Sequence, residues 1–195
     1  MHIKAGKEHA GKASFPATAL ANPLIFLIFA YRQAQNFRAL HRNTTDMKKI
    51  LFVCHGNICR SPMAEFVMKD LVSKAGRAAD FYIESAATST EETGNPVYPA
   101  TRRKLAEHGI ACDGKRARQL TRADYERFDL LVGMDSWNIR NMKAICVDDT
   151  DGKIVRLLDL TDRPGDVADP WYTGDFDATW RDVLEGCRCL LERLK

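Results

Sequence analysis

Four apolar residues, Ile50-Leu51-Phe52-Val53, run without a break into Cys54-His55-Gly56-Asn57-Ile58-Cys59-Arg60-Ser61-Pro62. A short continuous apolar run is the pattern of a strand covered on both faces, as the inner strands of a parallel sheet are. Ser61-Pro62 then offers a helix N-cap with proline at the first helical position. Met63, Phe66, Val67, Leu71 and Val72 recur at helical spacing as far as Gly76. A buried strand, a short loop and an amphipathic helix in succession point to an α/β fold.

The rest of the chain keeps the alternation. Phe81-Tyr82-Ile83 predicts a second strand, and a polar loop from Thr88 to Asn95 leads to a helix near Pro99–Glu107, stopped by Gly109. Thr121 caps a short helix ending near Phe128. Leu130-Leu131-Val132 is a third strand, with a helix around Ser136–Lys143 after it, and Ile154-Val155-Arg156-Leu157-Leu158 is a fourth. Phe176, Trp180, Val183, Leu184, Cys187, Leu191 and Leu194 form one stripe of a final helix. The expectation is a doubly wound parallel sheet with helices on both faces, which binds ligands at the carboxyl ends of its strands. Asp159–Gly174 is long, has two prolines and several acids, and shows no period; a loop of that length in a compact domain is often functional.

Charge separates the first 46 residues from the remainder. Residues 1–46 hold six Lys/Arg against two Asp/Glu, a net of +4, and residues 47–195 hold 23 against 24, a net of −1. A nearly neutral domain lacks the basic face of a nucleic-acid binder, so no nucleic-acid partner is expected. The apolar run Pro23–Tyr31 is too short for a bilayer, which takes about 20 residues, so no membrane span is expected either. Residues 1–46 read as a loosely ordered extension with at most one short helix; a signal segment and an interfacial anchor are the alternatives, and Met47 is a candidate natural start. Residues 47–195 are the expected functional domain. Six cysteines without a Cys-x-x-C pair, in a chain of 195 residues with few histidines, suit reduced thiols in the cytoplasm and offer no structural metal site.

The stretch from Cys54 to Pro62 carries the chemistry. A Cys, five residues, then Arg and Ser between a strand and a helix make a phosphate cradle: backbone amides curve around one point and the helix adds its dipole. Gly56 is expected to supply unusual backbone freedom. Arg60 brings a permanently charged, two-pronged donor. The same field favours the Cys54 thiolate, the form that attacks, and Ser61 can donate to the sulfur. A nucleophile on the floor of an oxyanion site implies attack on phosphorus. A lone cysteine ending a strand is often a buried core thiol; the Gly-Asn within the loop and the Ser-Pro after it favour the chemical role.

Cys54–Pro62 resembles the active-site loop of the low-molecular-weight protein tyrosine phosphatases. Supporting stretches are Ser85-Ala86-Ala87-Thr88-Ser89, Gly94-Asn95-Pro96, His108-Gly109-Ile110, Ala117-Arg118-Gln119, Met134-Asp135 with Asn138, and Asp169-Pro170-Trp171-Tyr172. The resemblance covers about residues 48–195. It implies a flavodoxin-like sheet of strand order 2-1-3-4, a cysteinyl-phosphate formed by Cys54, phosphate held by Arg60 and by the loop His55, Gly56, Asn57, Ile58, Cys59 and Ser61, and no metal or other cofactor. It implies a phosphotyrosine protein or peptide as substrate, with inorganic phosphate or sulfate able to occupy the loop, and a monomer or weak homodimer. A leaving oxygen needs a proton. Residue chemistry alone does not choose among Asp159, Asp162, Asp166 and Asp169, and the family's Asp-Pro-aromatic pattern selects Asp169. Trp171 and Tyr172 are implied as substrate wall, Asn57 as a loop brace with Ser85 its partner, and Cys59 as a redox guard or a packed small residue. Asp135 reads as loop support, and Cys112, Cys146, Cys187 and Cys189 as ordinary thiols.

The chain also departs from the family. Thr90-Glu91-Glu92 stands where many members carry an aromatic wall, which implies repulsion of very acidic phosphopeptides. Tyr98 occupies a commonly acidic position, and Lys115 one where some members have His. Members that act on phosphoarginine carry Thr where Ile58 sits, and a larger apolar residue there suits tyrosine. Arginine phosphatase, thiol-linked arsenate reductase and a non-catalytic phosphate-binding module are the rival functions; the second needs two further cysteines close together, and Cys112 and Cys146 are far apart in sequence.

Overall fold

The computed structural model describes residues 47–195; the readings made for residues 1–46 lie outside the described residues. Strand β1 spans Lys48–Cys54 and helix α1 Arg60–Lys74, followed by β2 Phe81–Ala87, α2 Pro99–Glu107, α3 Arg122–Arg127, β3 Leu130–Gly133, α4 Ser136–Cys146, β4 Ile154–Arg156, α5 Pro170–Thr173 and α6 Phe176–Arg193. The four strands form one sheet in the order β2-β1-β3-β4, every pairing parallel. Expected and observed topologies coincide. Among the described residues no helix is long and apolar enough to cross a membrane.

The unbroken apolar run of β1 has the burial it predicts. Ile50 and Phe52 point into a core shared with Met63, Val67 and Met68 of α1 and Val183, Cys187 and Leu190 of α6. Leu51 and Val53 point the other way, into a core with Tyr125, Phe128, Leu131, Met142 and Ile154. Alternate side chains thus fill opposite layers, and no position of Ile50–Val53 is left for a polar residue.

Two local expectations need correction, and the long segment before the last helix gains detail. Helix α1 starts at Arg60, with Cys59 at the N-cap and no side-chain cap, because the Ser61 hydroxyl is turned towards the loop instead. Strand β4 stops at Arg156, and Leu157–Leu160 coil into a 3-10 turn. Leu157 is drawn under α6, where a β-carbon on Gly186 would lie 2.4 Å from Leu157 Cγ; only glycine admits so close a contact. Asp159–Gly174 is firmly tied: Val167 N–H donates to Met134 O at 2.8 Å, Asp166 accepts from Ser136 N–H at 3.0 Å and from Arg156 at 2.6 Å, and Ala168 N–H donates to Asp182 at 3.0 Å.

Helix α3 gives a stability prediction. Its capping box joins Thr121 and Asp124. Asp124 Oδ2 accepts from Thr121 N–H at 2.8 Å, and the Arg118 guanidinium donates to both Asp124 oxygens at 3.0 and 3.1 Å. Burial works against the Asp124 charge, but the Arg118 and Thr121 donors outweigh it and hold the carboxyl below its ordinary range. A carboxyl depressed in the fold stabilises it above the pH of its unfolded titration, near 4, and that contribution is lost as pH falls further. Asp124→Asn is expected to cost about 1–3 kcal/mol at neutral pH, read by urea unfolding, with the deficit narrowing below about pH 4. A deficit equal at pH 7 and pH 3 would show that the charge contributes nothing.

Candidate active site

The carboxyl ends of β1, β2 and β3 meet at one edge, where Cys54 is level with Ala87 and Val53 with Gly133. The small neighbours matter. A β-carbon on Gly133 would lie 2.7 Å from Ile139 Cδ1, so glycine lets the start of α4 sit close against the sheet. From this edge β1 delivers Cys54, β2 leads into residues 88–95, β3 leads to Asp135, and the tied segment beyond β4 brings Asp169.

The chain between Cys54 and Arg60 turns at Asn57, whose φ is +57°. Asparagine is among the few residues that tolerate this left-handed conformation. The expected freedom of Gly56 is therefore not what the loop uses, and its φ is not positive. Gly56 is instead small because Glu92 lies over it: a β-carbon would come 3.1 Å from Glu92 Cγ.

Around the sulfur the hydrogen bonds form a directed chain. Asn57 N–H donates to Cys54 Sγ at 3.3 Å, and the Ser61 hydroxyl lies 3.0 Å from the same sulfur. The Asn57 side-chain amide donates to Ser61 Oγ at 2.9 Å and to Ser85 Oγ at 2.8 Å, while its oxygen accepts from Arg118 N–H at 3.2 Å. The backbone donor fixes which end of the amide is oxygen. Because Ser61 accepts from Asn57, its own hydrogen remains for Cys54 or for Ala86 O, 3.3 Å away. Ser85 in turn donates to Glu65 at 2.5 Å. Lys115 lies 3.0 Å from the same Glu65 oxygen and donates to Ser85 O at 2.9 Å. Lys115, noted in the sequence only as a departure, thus compensates a buried carboxylate behind the loop, at the far end of a relay that reaches the sulfur.

Arg60 is 4% exposed and spans two carboxylates. One terminal nitrogen lies 2.6 Å from Asp135 Oδ2 and the other 2.5 Å from Asp169 Oδ2. Burial opposes the guanidinium charge, but Cys54, Asp169 and Asp135 raise its pKa above the usual value. Each acid is also fixed by a helix it caps: Asp135 Oδ1 accepts from Asn138 N–H at 2.6 Å and Asp169 Oδ1 from Trp171 N–H at 3.1 Å. Asp135 therefore does more than support a loop, since it orients the guanidinium. Its position at a strand's carboxyl end was the available signal.

The cleft above the sulfur encloses about 500 Å³ and is lined by His55, Gly56, Ile58, Cys59, Arg60 and Asp169, and by Trp171 and Tyr172 on one wall. Tyr98, edge-on to Trp171 at 5.7 Å and stacked on Phe176 at 6.1 Å, supports that wall. Trp137, Asn141, Glu91 and Glu92 also line the cleft; Trp137 and Asn141 were missed in the sequence. Cys59 is buried beside the site, and desolvation, with the nearby Cys54 and Asp169 charges, pushes its thiol up to about 12, so it keeps its proton at neutral pH. All six cysteines are unpaired. Burial raises Cys146 to about 11 and also raises Cys112 and Cys187.

Known proteins are similar in sequence and in fold. The pattern of the family described as low molecular weight phosphotyrosine protein phosphatase matches residues 49–195. The low molecular weight protein-tyrosine-phosphatase YfkJ of Bacillus subtilis is 38% identical over 151 residues, 76% of this chain and 97% of YfkJ. Its crystal structure is similar with a TM-score of 0.74 over 77% of this chain and 96% of that one. SP-PTP, a low molecular weight protein tyrosine phosphatase from Streptococcus pyogenes, is 46% identical, with a TM-score of 0.69 over 76% of this chain and 94% of its own. DARP, a drosophila arginine phosphatase, is 30% identical, with a TM-score of 0.70 over 75% and 98%. With the pattern running from the start of β1 to the last residue, and these relatives aligned over nearly their whole lengths, the chain belongs to the low molecular weight phosphotyrosine protein phosphatase family.

Proposed function

We propose that the protein hydrolyses phosphotyrosine in proteins or peptides through a cysteinyl-phosphate. The observation that carries this reading is the placement of Arg60: it stands over the loop that holds the Cys54 sulfur, and its second nitrogen holds Asp169. In the first step the sulfur attacks phosphorus, the P–O bond to tyrosine breaks, and Asp169 gives the departing oxygen its proton. In the second, the Asp169 carboxylate takes a proton from water as the water oxygen attacks phosphorus. The P–S bond breaks, and inorganic phosphate and the thiolate are released. The loop amides and Arg60 supply the positive field throughout, which is why the mechanism is read as metal-independent. His55, Gly56, Asn57, Ile58, Cys59 and Ser61 shape the loop, and Trp171 and Tyr172 flank the phenyl ring. A working thiol suits a reducing compartment, consistent with the cytoplasm.

Two rivals share the fold. The likeness to an arginine phosphatase leaves phosphoarginine as the nearer one. Against it, Ile58 is an apolar, 8% exposed side chain at the cleft floor, packed with Cys59 and Ala117, a surface suited to an aryl ring rather than a guanidinium. Arsenate reduction needs a cysteine relay, and Cys112 and Cys146 fall in the two separate cores.

The test is kcat/KM of the full chain on matched phosphotyrosine, phosphoserine and phosphoarginine peptides. Phosphotyrosine is expected to lead, and Ile58→Thr to move the phosphoarginine-to-phosphotyrosine ratio up by about tenfold, the change in selectivity worth about 1.4 kcal/mol. A lead for phosphoarginine in the unmodified protein would reverse the assignment.

A further inference from the structure

The mouth of the cleft carries two carboxylates for which the two-step hydrolysis has no use. Glu91 and Glu92 both line it. They sit on the segment after β2, which is bonded directly to the phosphate loop: Thr88 N–H donates to Cys54 O at 2.9 Å and Ser89 N–H to His55 O at 3.0 Å. Their distance from the nucleophile is thus set by backbone hydrogen bonds. The Glu92 stem lies over Gly56, and its carboxylate accepts from the Asn95 amide at 2.6 Å. Glu91 N–H donates to Ser89 Oγ at 3.0 Å.

Neither charge is cancelled by a permanent cation of the cleft. Among the described residues lining it, Arg60 is the one permanent cation, and Asp135 and Asp169 already share it. His55 lies 3.0 Å from Glu91 and is charged only when protonated. Arg140, outside the lining, lies over the Trp137 ring at 4.6 Å. The loop amide aimed at the Cys54 sulfur and the Arg60 guanidinium suit the floor to a phosphate, while the rim is negative. A substrate that satisfies both presents a phosphate to the loop and a cation to the rim.

Resting on the phosphotyrosine reading above, we propose that Glu91 and Glu92 select phosphotyrosine sites flanked by arginine or lysine. The flanking cations pair with the rim while the loop holds the phosphate. Acidic flanks meet repulsion at the same place, so the discrimination works in both directions.

Three phosphotyrosine peptides, identical except for arginine, alanine or glutamate on both flanks, test this with the full chain. The expected order of kcat/KM is arginine, alanine, glutamate, with a spread of about tenfold or more at low salt that shrinks as salt is raised. In the Glu91→Gln/Glu92→Gln double variant the spread falls to within about twofold, and Glu91→Lys combined with Glu92→Gln, which makes the rim positive, inverts it. Equal rates on the three peptides, or a spread that persists in the double variant, would overturn the proposal while leaving tyrosine phosphatase activity standing. Hydrolysis of none of the three would overturn the phosphotyrosine reading and the proposal with it.

Discussion

Replacing Cys54 with serine is expected to abolish turnover of an aryl phosphate and to leave inorganic phosphate or vanadate bound. The groups around the sulfur are donors: the Asn57 N–H at 3.3 Å and the Ser61 hydroxyl at 3.0 Å. Donors stabilise a thiolate that already exists, but they cannot remove a proton from a serine hydroxyl, which ionises far less readily than a thiol. The variant oxygen therefore stays a neutral, weak nucleophile. The loss should approach that of a deleted covalent nucleophile, on the order of 10⁶ in kcat. Serine fits the space of Cys54 without overpacking, and the other groups keep partners of their own: Asn57 holds Ser85 and Ser61, Ser61 lies on Ala86 O, and Arg60 spans Asp135 and Asp169. Binding of the anion should therefore survive, measured by calorimetry beside a continuous assay of p-nitrophenyl phosphate. Retained turnover would remove Cys54 from the role of nucleophile.

The sheet and the loop were legible in the sequence for the same reason. Ile50–Val53 has no polar position, so it had to be an inner strand, and an inner parallel strand directs whatever follows it to the ligand-binding edge. The stripe on α6 was similarly plain, although the fully buried Leu190 fell outside the residues that defined it. Contacts between residues distant in the chain were less visible. Glu65 drew no notice in the sequence, yet it is buried where Lys115 and Ser85 reach it from other elements. Gly56 reads as a source of backbone freedom, and what the structure sets against it is the Glu92 side chain, 36 positions later, lying close over it. Strand β4 reads two residues too long because Leu157 and Leu158 are as apolar in a turn beneath α6 as they would be in a strand. Asp159, Asp162, Asp166 and Asp169 are chemically equivalent in a sequence; in the structure Arg156 takes Asp159 and Asp166, and Arg60 takes Asp169.

That division of partners makes Asp169→Asn informative. Asparagine keeps an oxygen for the Trp171 N–H, so the cap of α5 and the position of the aromatic wall should persist. What it loses is the ability to hand over a proton. The expected fall in kcat is about 10²–10⁴-fold, and it should depend on the leaving group. It should be small for p-nitrophenol, which departs readily as an anion, and large for the phenol of tyrosine, whose pKa is about 10. Asp135→Asn makes the contrasting case. Asp135 touches the other nitrogen of the same guanidinium at 2.6 Å and caps α4, so its loss should disturb phosphate binding and slow good and poor leaving groups alike. A plot of rate against leaving-group pKa then separates the two carboxylates: a steep slope in Asp169→Asn with an unchanged slope in Asp135→Asn assigns the proton to Asp169. The reverse pattern would assign it to Asp135, and Asp169 would then serve only to hold Arg60 in place.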